Sequence, residues 1–391
     1  MDLAADWVID ADAHVTEPGD VWTERLPAKY RDVAPRLVRD ERSGWDVWKV
    51  GPDDGQTVAS VGHTATAGWP ERFPSAPRNM DEVPEAAHDA KARLAYMDDN
   101  GIWAQVMYPN VGGFGNQAFL KMDDTELQVE CVRAYNDWMT DWCSADATRL
   151  LSVTATPFWD VDASVAEIER CATNGHRGVL FTGEPQRFDL PYLGDAHWDP
   201  LWATAQQLGL PVSFHIGGGD IASGFSQGRI RAHGAGAAYV STSVSLFLTN
   251  GVQIADLLTS GVLSRFPELK FVSVESGIGF LPFLLEASDY AYGESSMPTD
   301  RPDDPIPSEL FRRQVYGCYF FEELGLGRVV DAIGADNILF ETDYPHPICL
   351  YGNVREKIES SLADQPDDVR RKVLWDNAAA LYGVEAPPAA A

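Results

Sequence analysis

The sequence is poor in basic residues and in cysteine. Its 391 residues include 30 Lys and Arg against 59 Asp and Glu, which gives a formal net charge of −29 at pH 7. This excess of negative charge disfavours nucleic acid and anionic membrane surfaces as partners, because both would repel the chain. The five cysteines include no C-x-x-C pair and their number is odd. We therefore expect reduced thiols and a cytoplasmic location rather than a disulfide framework.

Long apolar runs are also missing. No stretch approaches the roughly 20 residues that a membrane-spanning helix needs. The first residues, MDLAADW, lack the basic and apolar regions of a signal peptide, so we expect none. A G-x-G-x-x-G turn after a first strand is absent as well, which disfavours an open dinucleotide-binding sheet. The chain is nevertheless 45% hydrophobic, which is sufficient for a large core.

Short apolar, β-rich runs alternate with longer stretches of helical period from residue 85 onward. With the opening stretch VIDADAHV, this pattern predicts eight strand–helix units. Such a repeat predicts a parallel (β/α)8 TIM-type barrel, with a doubly wound open sheet as the alternative. The predicted strands are 8–15, 103–110, 150–157, 177–184, 211–219, 270–277, 314–321 and 337–346. The predicted helices are 85–100, 123–146, 161–174, 198–209, 240–260, 280–292, 322–334 and 354–376.

Two segments fall outside this repeat in what we expect to be one domain, residues 1–380. Residues 16–84 form a long insertion after the first strand, predicted as a β-hairpin with a Ser-Gly turn followed by a Pro-rich lid. Insertions of this length are typical of lids and subdomains. Residues 293–313 are predicted as a second Pro- and Asp-rich loop. The tail, 381–391, is expected to be disordered.

Polar side chains recur at every second position of the first predicted strand. Asp10, Asp12 and His14 interrupt an otherwise apolar run, and a spacing of two places side chains on one face of a strand. In a barrel, active sites lie at the carboxyl ends of the strands. We therefore expect Asp12 and His14 at the active end, with Asp10 one step deeper as a supporting residue.

Three other predicted strands end in groups that bind metals or move protons. His215 ends the fifth strand, Glu275 the sixth and Asp343 the eighth. Two histidines and three carboxylates suffice for one divalent ion, Zn, Mn or Fe, or for two. Each residue also has an ordinary interpretation, as a core histidine, a helix cap or, for Glu275, a partner of backbone amides in the ESGIG turn. The convergence of four strand ends favours the metal site.

Further residues near the predicted mouth are candidates for binding a substrate. Arg229, Arg231 and His233 follow the fifth strand, and Arg78 lies in the first insertion, where each is suited to hold a carboxylate. His346 in YPHP is a candidate supporting residue for the ligands. The glycines of HIGGGD either present backbone N–H groups to an anion or form a tight turn. The candidate apolar lining residues are Trp69, Phe73, Phe225 and Tyr344.

Five stretches of the chain resemble one known family. DADAHVTEPGDVW, FHIGGG, FPELKFVSVESGIGFLPFLLE, LFETDYPHP and DNAAALYGV are similar to the amidohydrolase-related branch of the amidohydrolase superfamily. That branch contains aminocarboxymuconate-semialdehyde decarboxylase and the resorcylate-type decarboxylases. The resemblance covers nearly the whole chain and implies a metal-dependent (β/α)8 barrel, commonly a homodimer. It implies Asp12, His14, His215 and Asp343 as ligands, with Asp12 at the first position of the family's H-x-H.

One position departs from the family pattern. The well-studied decarboxylases have a proton-moving histidine at the end of the sixth strand, where this sequence has Glu275. A buried glutamate with a raised pKa can serve as general acid or base. Alternatively, Glu275 is a further ligand, and a carboxylate-rich set with two histidines suits iron or manganese better than zinc alone.

Three functions are compatible with this pattern. The favoured one, on the family resemblance, is a metal-dependent decarboxylase or hydrolase acting on a small carboxylate or cyclic substrate, with Asp343, Glu275 and His215 as catalytic residues. The second is an iron enzyme, with one ion or two, that uses O2 as a monooxygenase. The third is an inactive barrel that only binds a small molecule.

Overall fold

Eight parallel strands form a barrel in the computed structural model, which describes residues 7–51, 55–218, 226–323 and 326–387. The eight are hydrogen-bonded in the order in which they occur along the chain, and β2, β3 and β4 form a separate antiparallel sheet. The predicted (β/α)8 barrel is therefore confirmed. The strands are β1 (Val8–His14), β2 (Arg36–Arg39), β3 (Asp46–Val50), β4 (Gln56–Ser60), β5 (Ile102–Tyr108), β6 (Leu150–Ala155), β7 (Gly178–Leu180), β8 (Val212–His215), β9 (Phe271–Val274), β10 (Val315–Tyr319) and β11 (Ile338–Phe340).

Helices surround the barrel, and apolar side chains on their inner faces pack against the strands. The helices are α1 (Val21–Arg25), α2 (Ala90–Asn100), α3 (Thr125–Cys143), α4 (Val161–Thr173), α5 (Asp199–Leu208), α6 (Gln227–His233), α7 (Ala235–Thr259), α8 (Val262–Arg265), α9 (Leu281–Glu294), α10 (Met297–Asp300), α11 (Pro307–Gln314), α12 (Leu326–Ile333), α13 (Val354–Leu362), α14 (Asp367–Arg371) and α15 (Asn377–Tyr382).

The barrel closes where the end of β1 meets the segment after β11. Ala13 and Tyr344 form a parallel bridge. The N–H of His14 donates to the Tyr344 carbonyl at 2.7 Å, and the N–H of Asp343 donates to the Asp12 carbonyl at 3.0 Å. These backbone hydrogen bonds therefore connect the candidate ligands at the end of β1, Asp12 and His14, to the segment that contains Asp343.

An extra residue in β1 breaks the alternation that the sequence predicts. Asp10 pairs with Gln105 and Ala13 with Met107, so three steps along β1 oppose two along β5. A bulge of this kind shifts the facing of every side chain beyond it. Asp10 therefore shares a face with Ala13, and the expectation that Asp10 lies on the face of Asp12 and His14 is wrong.

The insertion after β1 contains the hairpin suggested by its sequence. Strands β2 and β3 pair antiparallel from Arg36↔Lys49 to Arg39↔Asp46. Gly44 takes a φ of 72° in the turn, a conformation that glycine adopts without steric cost. The third strand, β4, pairs with β3 and was not anticipated from the sequence. The Pro-rich part of the insertion reaches the barrel mouth, where the Phe73 ring stacks on Tyr239 of α7 at 4.1 Å.

Several element boundaries differ from the sequence prediction. Residues 293–313, expected as a loop, include α10 and most of α11. The predicted helix 354–376 is divided into α13 and α14, because Pro366 before α14 lacks the N–H that a continuous helix needs. Of the expected disordered tail, the part up to 387 is described, and the Glu385 carbonyl accepts a hydrogen bond from Trp103 Nε1 at 3.1 Å. Residues 388–391 lie outside the described chain.

Candidate metal centre

The rings of His14 and His215 lie side by side at the carboxyl end of the barrel, with their Nε2 atoms next to each other. His14 Nδ1 lies 3.2 Å from the Pro109 carbonyl and His215 Nδ1 lies 2.9 Å from the Ile216 carbonyl. Since a carbonyl only accepts, both Nδ1 atoms carry a proton, and in the neutral imidazole form both Nε2 atoms present lone pairs. These Nε2 atoms are 3.1 Å apart. Histidines fixed by a backbone carbonyl in this way are typical of metal ligands.

Carboxylates surround these two nitrogens. Asp12 Oδ1 lies 3.4 Å from His14 Nε2 and 3.5 Å from His215 Nε2. Asp343 Oδ1 lies 3.4 Å from His14 Nε2, and both aspartates are fully buried. None of the four aspartate oxygens takes part in a hydrogen bond within the described chain. Buried carboxylates without partners are costly, and a cation at their centre removes that cost.

Glu275 and Asp343 have an unusual backbone conformation. Their φ angles are 58° and 57°, in the left-handed region that side chains other than glycine seldom adopt. Glu275 directly follows β9, and Asp343 lies shortly after β11. Strain of this kind persists where the surroundings enforce it, and it concentrates at functional sites.

The carboxylate of Glu275 lies beside His215 and does not accept hydrogen bonds from the amides of the turn that follows it. Its Oε2 is 3.7 Å from His215 Nδ1. The amides of the ESGIG turn are bonded instead by Glu322, whose Oε1 accepts from Ile278 N at 2.5 Å and Gly279 N at 3.3 Å. The ordinary interpretation of Glu275 as the partner of those amides is therefore wrong. Sequence reasoning gave no role to Glu322, which is distant in the chain from the turn it supports.

Burial controls the ionisation of these groups. It raises the pKa of Glu275, Asp343 and the neighbouring Glu341 well above the usual carboxyl range, and the charges of nearby carboxylates raise it further. Burial also lowers the pKa of His14 well below its ordinary value. For His215, burial is again the largest influence and lowers the pKa, but the charges of Asp12 and Glu275, together with hydrogen bonds to Asp12 and to the Ile216 carbonyl, outweigh it and raise the pKa.

His346 joins the site from the loop after β11. Its ring stacks on His14 at 3.8 Å. Asn110 donates from Nδ2 to the Val15 carbonyl, so its Oδ1 is the acceptor for His346 Nε2 at 2.7 Å. The Nδ1 of His346 then faces Asp343 Oδ1 at 2.8 Å. Burial lowers the pKa of this ring to about 3, which keeps it neutral.

Asp10 lies outside the cluster and stabilises it through hydrogen bonds to neighbouring segments. Its Oδ1 accepts from Thr342 N at 2.8 Å and from Asp12 N at 3.2 Å. Its Oδ2 accepts from Thr342 Oγ1 at 2.5 Å and from Gln105 Nε2 at 2.8 Å. Burial raises the pKa of Asp10 to about 7. The residue thus ties β1 to β5 and to the segment before Asp343.

Two overlapping sets of donor atoms emerge among the described residues. Within each set the donor atoms lie within 4.8 Å of one another. The sets are Asp12, His14, His215 and Glu275, and His14, Glu275, Asp343 and His346. All five predicted ligands thus come together, and His346, predicted as a supporting residue, belongs to the second set.

A small cavity of about 110 Å³ opens above this cluster. No arginine or lysine is found among its described lining residues. The lining residues are Ile216, Tyr239, Ser243, Leu246, Phe247, Glu275, Asp343, His346, Pro347 and Ile348.

The predicted substrate-binding cations lie elsewhere in the described structure. Arg231 and His233 are exposed on α6, and Arg229 on the same helix donates to Ser241 Oγ. Arg78 is exposed in the insertion. None of the four lines the cavity over the cluster, so their role in binding stays a prediction.

The aromatic candidates are divided between the mouth and the core. Phe73 reaches the mouth through Tyr239, whereas Tyr344 stacks on Tyr96 at 4.1 Å in the protein interior. Trp69 donates to Ser75 Oγ within the insertion, and Phe225 lies outside the described residues. Sequence reasoning missed Phe114, whose ring stacks on His215 at 4.3 Å.

The glycines after β8 form a tight turn where they are described. The N–H of Gly218 donates back to the His215 carbonyl at 3.2 Å, and Gly217 has a φ of 74°. Gly219 and Asp220 of the HIGGGD motif lie outside the described residues. The alternative of an anion-binding loop stays a prediction.

A larger cavity, of about 690 Å³, lies at the opposite end of the barrel. It is lined by Arg177 and Leu210, which lie just before β7 and β8, and by Tyr382 of α15. Because barrel chemistry takes place at the carboxyl ends of the strands, the smaller cavity over the histidines is the candidate active site.

Residues 9–384 match the amidohydrolase family model Amidohydro_2. The chain belongs to this family. The resemblance drawn from the sequence is confirmed, and the chain is an enzyme of the metal-dependent lyase or hydrolase type. In the described part of this family member, no helix is both long and apolar enough to cross a membrane.

Curated relatives of this amidohydrolase include decarboxylases. A gamma-resorcylate decarboxylase of Polaromonas sp. is 26% identical over 334 residues, which cover 83% of this chain and 93% of the relative. A 2-keto-4-carboxy-3-hexenedioate hydratase of Sphingobium sp. is 25% identical over 222 residues, or 56% of each chain. These comparisons give no support to the monooxygenase or to the inactive barrel.

Solved structures agree with the fold. An amidohydrolase from Mycobacterium avium subsp. paratuberculosis has a TM-score of 0.77 at 25% identity, covering 97% of this chain and 100% of that one. A dihydroxybenzoic acid decarboxylase from Polaromonas sp. has a TM-score of 0.64 at 19% identity, with 97% of each chain covered. That structure contains manganese and the inhibitor 2-nitroresorcinol. At this identity the second likeness concerns the fold alone.

Proposed function

We propose that this amidohydrolase is a metal-dependent, non-oxidative decarboxylase of a small hydroxylated aromatic carboxylate. The observation that carries the proposal is the pair of Nε2 lone pairs 3.1 Å apart at the barrel mouth. Beside them lie buried aspartate oxygens without hydrogen-bond partners in the described chain. The similarity to gamma-resorcylate decarboxylases over most of the chain supports the reaction class.

The residues present fit a divalent cation. Asp12, His14, His215 and Asp343 would hold one ion, since oxygens of both aspartates lie within 3.5 Å of a histidine Nε2 atom. Manganese is our first choice because carboxylate-rich sites suit it. When bound, the ion supplies the positive charge that neutralises the substrate's carboxylate and adjacent oxygen. The positive charge of an ion is required here because no arginine or lysine lines the described cavity to neutralise the substrate.

Glu275 is the group we assign to proton transfer. Decarboxylation breaks the bond between the ring carbon and the carboxyl carbon, leaves the electron pair on the ring and releases CO2. The ring carbon must then gain a proton. Glu275 lines the cavity, and burial raises its pKa well above the usual range, so it can hold that proton near neutral pH. In this role it takes the place of the family's histidine.

The other walls of the cavity suit a flat, partly apolar ring. Leu246, Phe247 and Ile348 provide apolar contact, while Tyr239 and Ser243 add two hydroxyl groups. This composition supports an aromatic acid more than a long or highly charged substrate.

The first test is metal analysis of the purified protein, followed by anaerobic assays of CO2 release from hydroxybenzoates. We expect about one equivalent of metal per chain and turnover without O2. Glu275→Gln should lower kcat roughly 100-fold or more with the metal retained, and Ser243→Ala serves as the cavity-lining control. Two equivalents of iron with strict dependence on O2 would contradict the proposal. Loss of the metal from Glu275→Gln would make Glu275 a ligand and not the proton donor.

A further inference from the structure

The ring of Phe114 lies over the histidines of the candidate metal centre. Its centroid is 4.3 Å from that of His215, 5.2 Å from that of His14 and 5.8 Å from that of His346. One aromatic ring therefore contacts all three imidazoles of the cluster. The histidines are buried, whereas Phe114 is partly exposed. Phe114 thus lies between the cluster and solvent.

A glycine-rich turn holds Phe114 in this position. Residues 111–117, with the sequence VGGFGNQ, lie just after β5. Gly113 has a φ of 82°, and a Cβ atom there would lie 2.8 Å from Gln117 Oε1. At Gly112 a Cβ atom would lie 2.7 Å from Asn116 Oδ1. The absence of side chains at these two positions allows the turn to close tightly and fixes the direction in which the following side chain leaves it.

The same turn is fastened to the backbone that follows His215. Gln117 Nε2 donates to the Gly217 carbonyl at 2.9 Å, and Gln117 Oε1 accepts from the Gly115 N–H at 2.9 Å. The side chain of Gln117 therefore joins the turn that carries Phe114 to the turn just beyond a candidate ligand. The aromatic ring and the imidazole that it covers are held in a fixed relation.

We propose that Phe114 excludes bulk water from the bound ion and limits the size of the substrate on the β5 side of the site. The inference rests on the proposed function, because it assumes a divalent ion held by the four candidate ligands. The small cavity over the cluster is lined by residues of α7 and of the segment after β11. Phe114 adds an apolar wall from the turn after β5.

Exclusion of water separates decarboxylation from hydrolysis at this site. A hydrolase needs a water molecule on its ion as the nucleophile. Decarboxylation consumes no water, since the bond between the ring carbon and the carboxyl carbon breaks, CO2 leaves and a proton takes its place. An apolar cover also strengthens the attraction between the ion and the substrate's carboxylate, because less water screens the two charges. Phe114 therefore favours the lyase reaction over a hydrolytic one.

Water proton relaxation of the Mn²⁺-loaded protein tests the exclusion of water directly, because Mn²⁺ accelerates the relaxation of any water that reaches it. Mn²⁺ favours octahedral coordination, so four protein ligands leave about two positions for water. If Phe114 shields one of them, Phe114→Ala should raise the relaxivity of the bound ion about twofold. Phe188→Ala is the matched control and should leave the relaxivity unchanged. Phe188 is also partly exposed and follows a barrel strand, but its ring packs on Phe158 at 5.2 Å.

Substrate preference gives a second readout. Phe114→Ala should raise the ratio of kcat/KM for a hydroxynaphthoate to that for a hydroxybenzoate about tenfold or more, since sites discriminate by such factors between substrates of different size. The larger ring of Phe114→Trp should lower the same ratio. If the alanine variant misfolds, Phe114→Trp decides the question, and a ratio equal to that of the wild type would then contradict the proposal.

Unchanged relaxivity in a folded, Mn²⁺-loaded Phe114→Ala variant would overturn the inference and leave the proposed function intact. A wild-type protein that binds no Mn²⁺ would overturn both. A wild-type protein that binds Mn²⁺ but releases no CO2 would contradict the proposed reaction alone, because the relaxivity still decides whether Phe114 keeps water from the ion.

Discussion

Asp10 shows how a residue that touches no candidate substrate can fix the site. Its carboxylate accepts four hydrogen bonds, from two groups of Thr342, from Gln105 and from the Asp12 backbone. Asp10→Asn places an NH2 group against at least one donor, because Gln105 Oε1 already accepts from Arg93 and Gln105 cannot simply reverse. We expect a loss of about 2–3 kcal/mol in the free energy of unfolding. Thermal unfolding measures it, with the exposed Asp20→Asn as the neutral control.

Glu17 makes a pH-dependent contribution to stability. It is buried, and its Oε1 accepts from the amides of Asn110 and Val111. Burial raises its pKa from 4.5 to about 7. Below pH 4.5 the folded and unfolded forms are both protonated. Between there and pH 7 only the unfolded form ionises, so this residue's contribution to stability is lost as the pH rises.

Glu17→Gln removes this dependence, because glutamine stays neutral and still offers an acceptor oxygen. The stability of the variant relative to the wild type should therefore increase by about 3 kcal/mol between pH 5 and pH 8. Unfolding curves recorded across that interval test it, with the exposed Glu24→Gln as control. A constant difference between variant and wild type across the interval would show that Glu17 ionises normally in the folded protein.

At the scale of single residues, the sequence was sufficient to name the candidate ligands that the fold brings together, but not the groups that surround them. Asp12, His14, His215, Glu275 and Asp343 stand out because each is polar within or just after an apolar run. The groups that orient them are not visible in this way. The carbonyls of Pro109 and Ile216 fix the histidine protons, and a backbone carbonyl carries no sequence signal.

Among the elements, the insertion and α7 form one contact that bears on substrate binding. Phe73 stacks on Tyr239 at 4.1 Å with an angle of 18° between the rings, and Tyr239 lines the cavity. Phe73→Ala removes an aromatic pair worth about 1 kcal/mol. We expect KM to rise several-fold while kcat and metal content change little. Phe73→Tyr keeps the ring and should behave like the wild type. An equal rise in KM for both variants would contradict a role of the Phe73 ring in substrate binding.

The type and order of the barrel elements could be read from the sequence, but local irregularities could not. The buried strands are short apolar runs, and the helices between them are long and periodic. The bulge in β1 is different, because it arises from pairing with β5 and reverses the facing of Asp10. The prolines within residues 293–313 led to the prediction of a loop. In the structure they lie in the first turns of α10 and α11, where proline does not interrupt a helix.

For the molecule as a whole, the barrel brings together candidate ligands from the beginning, middle and end of the chain. Asp12 and His14 belong to β1, His215 ends β8, and Asp343 follows β11. A bound ion would therefore link segments more than 300 residues apart. Since no such site exists in the unfolded chain, the binding energy of the ion adds to the stability of the fold.

Removal of the ion should accordingly destabilise the whole protein. At a free concentration of 100 times its dissociation constant, a ligand that binds only the folded state contributes about 2.7 kcal/mol. Chelation should lower the melting temperature by several degrees, and added Mn²⁺ should restore it. The response is specific if Asp12→Asn, which lacks one ligand, melts at the same temperature with and without the chelator. An unchanged melting temperature in the chelated wild-type protein would mean that the buried carboxylates are neutralised by protons alone, as their raised pKa values permit.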